Sequence, residues 1–171
     1  DGTAAETHFR AALNLGRRDV YLLGAYADFL LDQNRPAEAR ALLENERRAD
    51  ALLLRLTLAQ QRLDDPAWRR HAALLQDRFA AARERGDDTH AAAEARLLLA
   101  LGQPPGRALE LAQANWARGQ REPRDARLLL EAALAANKPD AAREVLEWMA
   151  RVRLEDRRLA DLGRRLREIA S

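Results

Sequence analysis

The sequence predicts an all-α protein of about ten antiparallel helices, stacked as helical hairpins into a solenoid. Composition is the first observation behind this reading. Alanine, leucine and arginine supply 37, 31 and 28 of the 171 residues, and only eight residues are β-branched. The first three are strong helix formers, and strands need the residues that are scarce here. The second observation is punctuation. Turn signals recur at near-even intervals and leave segments of helical length between them, most of them amphipathic. The third is internal repetition: alanines at one helical phase return with a period of 34 residues, at Ala5 and Ala39 and again at Ala108 and Ala142.

In chain order, residues 3–15 form the first segment, closed by Gly16-Arg17-Arg18-Asp19. The second runs from Val20 to Asn34-Arg35-Pro36, and the third from Pro36 to Arg47-Arg48. The fourth ends at Asp64-Asp65-Pro66, and the fifth continues from Pro66 to Gly86-Asp87-Asp88. Trp68, Ala72, Leu75, Phe79 and Ala82 lie on one face of that fifth helix. The sixth ends at Gly102-Gln103-Pro104-Pro105, the seventh between Gly119 and Pro123, and the eighth at Asn137-Lys138-Pro139. The ninth reaches Arg153 to Asp156, and residues 155–170 form a terminal capping helix striped with Leu159, Leu162, Leu166 and Ile169. Pro36, Pro66, Pro105 and Pro139 suit first turns, where the missing N–H had no intrahelical partner. Gly86 and Gly102 suit left-handed helix ends.

Composition also excludes functions. With no cysteine, disulfides, thiolate metal sites and a cysteine nucleophile are ruled out. No apolar run approaches the roughly 20 residues of a membrane helix, so no membrane insertion is expected. The net charge is +2, and each half is near neutral: residues 1–86 carry 14 Arg against 13 acids, and residues 87–171 carry 14 Arg and one Lys against 14 acids. No basic field is present to collect phosphates, and nucleic acid is not an expected partner. The bias of 28 Arg to one Lys reads as a coding preference rather than a binding site. Nothing in the chain assigns a compartment.

Four residues after the phased alanines stand Phe9, Leu43, Ala112 and Leu146, and three before Ala39, Ala108 and Ala142 stand Pro36, Pro105 and Pro139. In the clearest unit, Leu23, Tyr26, Ala27 and Leu30 precede Ala39 and Leu43 in the order large, large, small, large, then small and large. This pattern resembles the tetratricopeptide repeat (TPR) family over nearly the whole chain. The closing proline of the family falls on Ala51 and is missing. The next unit departs further: Ala73 keeps the phase while the apolar face lies elsewhere, which reads as a shorter first helix followed by a longer second one.

The resemblance implies a right-handed superhelix over residues 1–171 as a single array. By phase, residues 3–15 are the second helix of a repeat. The native protein is therefore expected to extend N-terminally, and the face with Phe9, Ala12 and Leu13 to be uncovered and prone to self-association. The resemblance also implies a concave face that holds a peptide or partner helix. That face is expected to include Tyr21, Gly24, Asp28, Leu31 and Asp32, with His90, Glu94, Arg127 and Glu131 from later units. Family members that grip a C-terminal carboxylate use Lys and Asn at such positions. Tyr21, Gly24 and Asp28 do not support that mode.

Other constellations have plain structural readings. His90 and Glu94 share a helix face but offer two ligands, too few for a metal site. Asp64-Asp65 and Asp87-Asp88 precede helices, where capping accounts for them. Trp68, Trp116, Trp148, Phe9, Phe29 and Phe79 read as core rather than an aromatic box. Arg157, Arg158, Arg164, Arg165 and Arg167 are interleaved with Glu155, Asp156, Asp161 and Glu168, the pattern of a solvated face. No nucleophile–base pair can be proposed, so the chain is not expected to be an enzyme, and no cofactor is expected. The leading function is a protein–protein interaction scaffold or adaptor. The alternatives are a non-catalytic docking module of a larger enzyme and part of a peptide-sensing regulator.

Overall fold

A computed structural model describes residues 2–16, 18–119 and 121–170. Asp1, Arg17 of the first turn signal, Gln120 and Ser171 lie outside the described residues. Ten α-helices follow one another: α1 Gly2–Asn14, α2 Val20–Asp32, α3 Pro36–Leu43, α4 Asp50–Arg62, α5 Ala67–Glu84, α6 Ala91–Ala100, α7 Pro105–Ala117, α8 Pro123–Ala135, α9 Arg143–Arg151 and α10 Arg157–Ala170. A short 3-10 helix, Pro139–Ala142, leads into α9, and no strand occurs among the described residues. The chain is therefore all-helical, and α4 and α5 are the shorter and longer pair that the sequence predicts. Packing divides it into two units, Asp1–Ala81 and Ala82–Ser171.

The turns repeat one device. At Asn34, Asp64, Gly86, Gly102, Asn137 and Arg153 the backbone is left-handed, with φ between 52° and 74°. At each, two N–H groups donate back to carbonyls of the last turn, such as Asn34 N to Leu31 O and Arg35 N to Leu30 O. This closes the helix by satisfying carbonyls that have no intrahelical partner. Asparagine, aspartate and glycine tolerate that conformation. Arginine does not, and a left-handed L-residue costs about 1–2 kcal/mol. Asp64 thus serves as a turn residue rather than the expected cap, while Asp65 Oδ1 accepts from Ala67 N at 3.0 Å. Asp87 accepts from both the amide and the hydroxyl of Thr89, and Asp88 departs from the capping expectation by pairing with Arg118.

In the first unit α2 packs on α3, and α4 packs on both. Leu23, Ala27, Leu30, Ala39 and Leu43 are at most 1% exposed and Tyr26 is buried, so the small and large positions of the clearest repeat all point inward. On α5, Ala72, Leu75, Phe79 and Ala82 are buried and Trp68 is half-buried, whereas Ala73 faces solvent. No residue of α1 is buried. Its attachments are specific all the same. The Phe9 ring stacks on Tyr26 at 5.0 Å and leans on Phe29 at 5.6 Å. The face with Phe9, Ala12 and Leu13 is therefore half-buried rather than uncovered, and Leu15 is the apolar residue most exposed there, at 80%.

In the second unit α7 packs on α6 and α8, α6 also meets α8, and α10 lies on α8 and the 3-10 helix. Ala108, Ala112, Ala142 and Val145 join Leu129, Leu130, Leu159 and Leu166 in one core. Trp116 is buried, with Trp148 edge-on at 5.3 Å and the Arg121 guanidinium 4.1 Å from the Trp116 ring centre. Two of the six aromatics expected in the core, Trp116 and Phe79, are fully buried; the other four are half-buried. Buried Asn115 donates to Asp125 Oδ1 at 2.9 Å, which fixes the start of α8 against α7. On α10, Arg164 bonds both Asp161 and Glu168, in keeping with a solvated mixed-charge face.

Two substitutions to leucine should separate phase from burial. At fully buried Ala39 the added carbons have no room, and Ala39→Leu should destabilise the chain by about 1–3 kcal/mol in chemical denaturation. Ala73→Leu, at an exposed position of the same phase, should change stability by no more than about 0.5 kcal/mol.

The first unit also carries two built-in titrations. Arg35 donates to both oxygens of Glu6 at 2.6 and 2.8 Å, and Arg10 and the Tyr26 hydroxyl add further bonds. Chiefly because of Arg35, the Glu6 carboxyl is lowered from 4.5 to about 2. Buried His71 meets Gln60 Oε1 at 2.8 Å through Nδ1. Burial, reinforced by Arg47 and Arg70, lowers its pKa below 6.5. In both cases the unfolded chain binds more protons, so stability rises with pH across each window. Stability should begin to fall as pH drops below 6.5, and fall again between about 4.5 and 2. His71→Gln should flatten the first loss and Glu6→Gln the second, with hydrogen exchange of α1 amides reporting the second selectively.

Candidate functional site

The residues predicted for a concave face lie along one side of α2, and their surroundings are set by arginines of α4. Arg55 is 12% exposed along its side chain and uses all three guanidinium nitrogens. Its Nε donates to Gly24 O at 3.0 Å, Nη1 to Ala51 O at 2.7 Å and Nη2 to Asp28 Oδ2 at 2.5 Å. One turn further on, Arg62 Nη1 donates to Leu31 O at 2.5 Å. Arginine suits this work because its planar fork reaches a carbonyl and a carboxylate together. Gly24 lacks a side chain beneath that fork, and a Cβ there would sit 3.5 Å from the Arg55 Cζ, in ordinary contact.

This arrangement changes the expected groove. Gly24 is buried and Leu31 is 3% exposed, so neither forms an open surface. Leucine at that phase points into the packing of α2 against α3 and α4, and Arg62 covers its carbonyl. Asp28 is neutralised by Arg55 rather than standing as part of an acidic patch. Of the five residues predicted on α2, Tyr21 is the most exposed, at 74%, and Asp32 is half-exposed.

The residues predicted from later helices are held by separate partners. Glu94 accepts from Arg83 Nη1 at 2.5 Å, and His90 Nε2 lies 3.7 Å from Asp87 Oδ2. Arg127 Nε donates to Glu131 Oε1 at 2.7 Å along α8. Among the described residues no cluster of three or more histidines or carboxylates has the geometry to hold a metal ion, and no helix is long and apolar enough to cross a membrane.

Sequence reasoning missed Arg55 and Arg62 because their partners lie 27 to 31 residues earlier. The same separation recurs where Arg35 reaches Glu6, Arg78 reaches Asp50 and Arg118 reaches Asp88. A search for arginine and acid pairs slightly inside the repeat length would have raised Arg55 with Asp28.

Replacing Arg55 by methionine keeps much of the aliphatic bulk and removes three hydrogen bonds. It should cost about 1–3 kcal/mol, with hydrogen exchange of α2 and α4 amides rising ahead of the α7 and α8 amides. Comparison of the chain with protein-family models, with curated proteins and with solved structures finds no match in any of the three.

Proposed function

We propose that the chain is a TPR-like helical-repeat module that binds another protein or peptide. The observation that carries this reading is the packing order. Within each unit, the extensive contacts join an element to the next or the next but one, as in α2, α3 and α4 and in α6, α7 and α8. Stacked helical hairpins have that order, and each hairpin leaves an apolar face that only its neighbours cover. Helical-repeat surfaces serve recognition, and the chemistry of this one favours binding over catalysis.

The proposed contact surface is the outer side of α2, centred on exposed Tyr21 with Asp32 at its far end. Tyrosine is a favoured anchor because a rigid ring offers large contact area and a polar tip. The bonded Arg55 and Asp28 beside it give a firm, nearly neutral floor, so shape and an aromatic contact would select the ligand more than charge. Arg127 and Glu131 would play the same part on α8.

Affinity capture from the native organism with the intact protein, read by mass spectrometry, tests this. A chain carrying Tyr21→Ala and Asp32→Arg, with an unchanged melting curve, should lose a partner that the unaltered chain recovers. A partner retained equally by both chains would remove this surface from the proposal. Absence of any partner above background would favour the docking-module alternative.

A further inference from the structure

Helix α1 is attached through a compact set of contacts. Its packing is against α2, and none of its residues is buried. Two side chains carry the attachment. Phe9 lies against the rings of Tyr26 and Phe29. Glu6, three residues earlier, accepts from Nη1 and Nη2 of Arg35 on its two oxygens and from the Tyr26 hydroxyl at 3.2 Å. Residues three apart share one side of a helix, so carboxylate and ring face α2 together.

The face that receives them is assembled without α1. Tyr26 and Phe29 belong to α2, which packs on α3 and α4. Arg35 is aimed by Glu38, whose two oxygens accept from its Nε and Nη2, each at 2.6 Å. Glu38 thus takes one edge of the guanidinium, and the Nη1–Nη2 edge is presented to Glu6. Paired hydrogen bonds of this kind fix geometry as well as charge. The face is a preformed receptor for a helix that carries a carboxylate three residues ahead of an aromatic ring. A helix of 13 residues is marginal in water, so α1 depends on being seated there. A second copy of the chain brings a helix of the same chemistry.

We propose that α1 is exchangeable between copies of this chain. In the single chain it seats on its own α2 and Arg35. In a two-fold dimer each α1 seats on the other copy, and both junctions repeat the Glu6–Arg35 and Phe9–Tyr26 contacts. The exchange uses neither Tyr21 nor Asp32 and is independent of the surface proposed above. The contacts are the same in both states, so concentration decides between them. Seating within one chain corresponds to an effective concentration of about 1 mM, and the dimer forms as the chain approaches it.

Paired charge reversals in the full chain test the exchange. Glu6→Arg sets a cation against Arg35, and Arg35→Glu sets a carboxylate against Glu6. Each variant therefore repels its own α1 and that of an identical copy. In an equal mixture, each α1 meets opposite charge on the other variant. The mixture should give a heterodimer at micromolar concentration, read by native mass spectrometry and light scattering. Each variant alone, and a chain bearing both substitutions, should stay monomeric there. Phe9→Ala in both partners should weaken the heterodimer at least ~tenfold. The unaltered chain supplies an arm that needs no variant to fold: isotope-labelled and unlabelled chains, concentrated together to about 1 mM, should form a mixed dimer. The proposal is overturned if the unaltered chain stays monomeric at that concentration, if either variant alone or the doubly substituted chain dimerises as readily as the mixture, or if Phe9→Ala leaves the heterodimer unchanged.

Discussion

Close approach between short helices is the constraint on which this structure depends. The helices run from 8 residues in α3 to 18 in α5. Isolated helices of such length are marginal in water, because nucleation is costly and few bonds follow it. Each must therefore be held by its neighbours. Ala27, Ala39, Ala59, Ala95, Ala108, Ala126, Ala132 and Ala142 are all fully buried, and they let adjacent backbones come together. Leucines such as Leu23, Leu43, Leu97 and Leu130 fill the space beside them. Alanine at these positions is part of the packing, as well as a helix-forming residue.

Alanine and leucine leave little polar material between helices, and arginine supplies it. Arg55, Arg62, Arg35, Arg78 and Arg118 each reach back about thirty residues to a carbonyl or carboxylate of an earlier helix or turn. Lysine could not substitute at Arg55, because one ammonium cannot meet three acceptors in that planar arrangement. The excess of arginine over lysine thus has a structural use beyond coding preference. The chain is one-third charged yet carries a net charge of only +2, because 29 basic residues stand against 27 acidic ones. Many of its arginines work as connectors within the fold, so their number says little about external partners.

The fold class was legible because it rests on local signals. Prolines at Pro36, Pro105 and Pro139 open helical segments, and Gly86, Gly102 and Asn137 close them. The phase of Leu23, Tyr26, Ala27, Ala39 and Leu43 also correctly identified buried positions. The candidate surface was less legible for a physical reason. Helical phase states which side of α2 a residue occupies, but the neighbour opposite that side is decided by tertiary packing. Gly24, Asp28 and Leu31 share a side with Tyr21, yet Arg55 and Arg62 of α4 close over the first three. Phe9 shows the same effect in reverse: phase placed it on an open face, and stacking on Tyr26 and Phe29 covers it.

The two units also differ in how much polar matter they bury. The first encloses Thr57, Gln60 and His71, and the second Asn115 and Asp125. Thr57 returns its hydroxyl to Leu53 O, and Gln60 and His71 bond each other across α4 and α5. A buried pair of that kind is favourable only while both members stay neutral and matched, since a charge there would meet low polarizability. Asn115 and Asp125 instead join a side chain to a helix start, where the N-terminal end of α8 itself favours a carboxylate. Polar burial in the second unit is therefore anchored at a helix start, while in the first it joins two neutral side chains. Protonating His71 would place a charge in that buried contact, which burial opposes, so the two units hold their buried polar groups by different means despite a shared pattern of alanine and leucine.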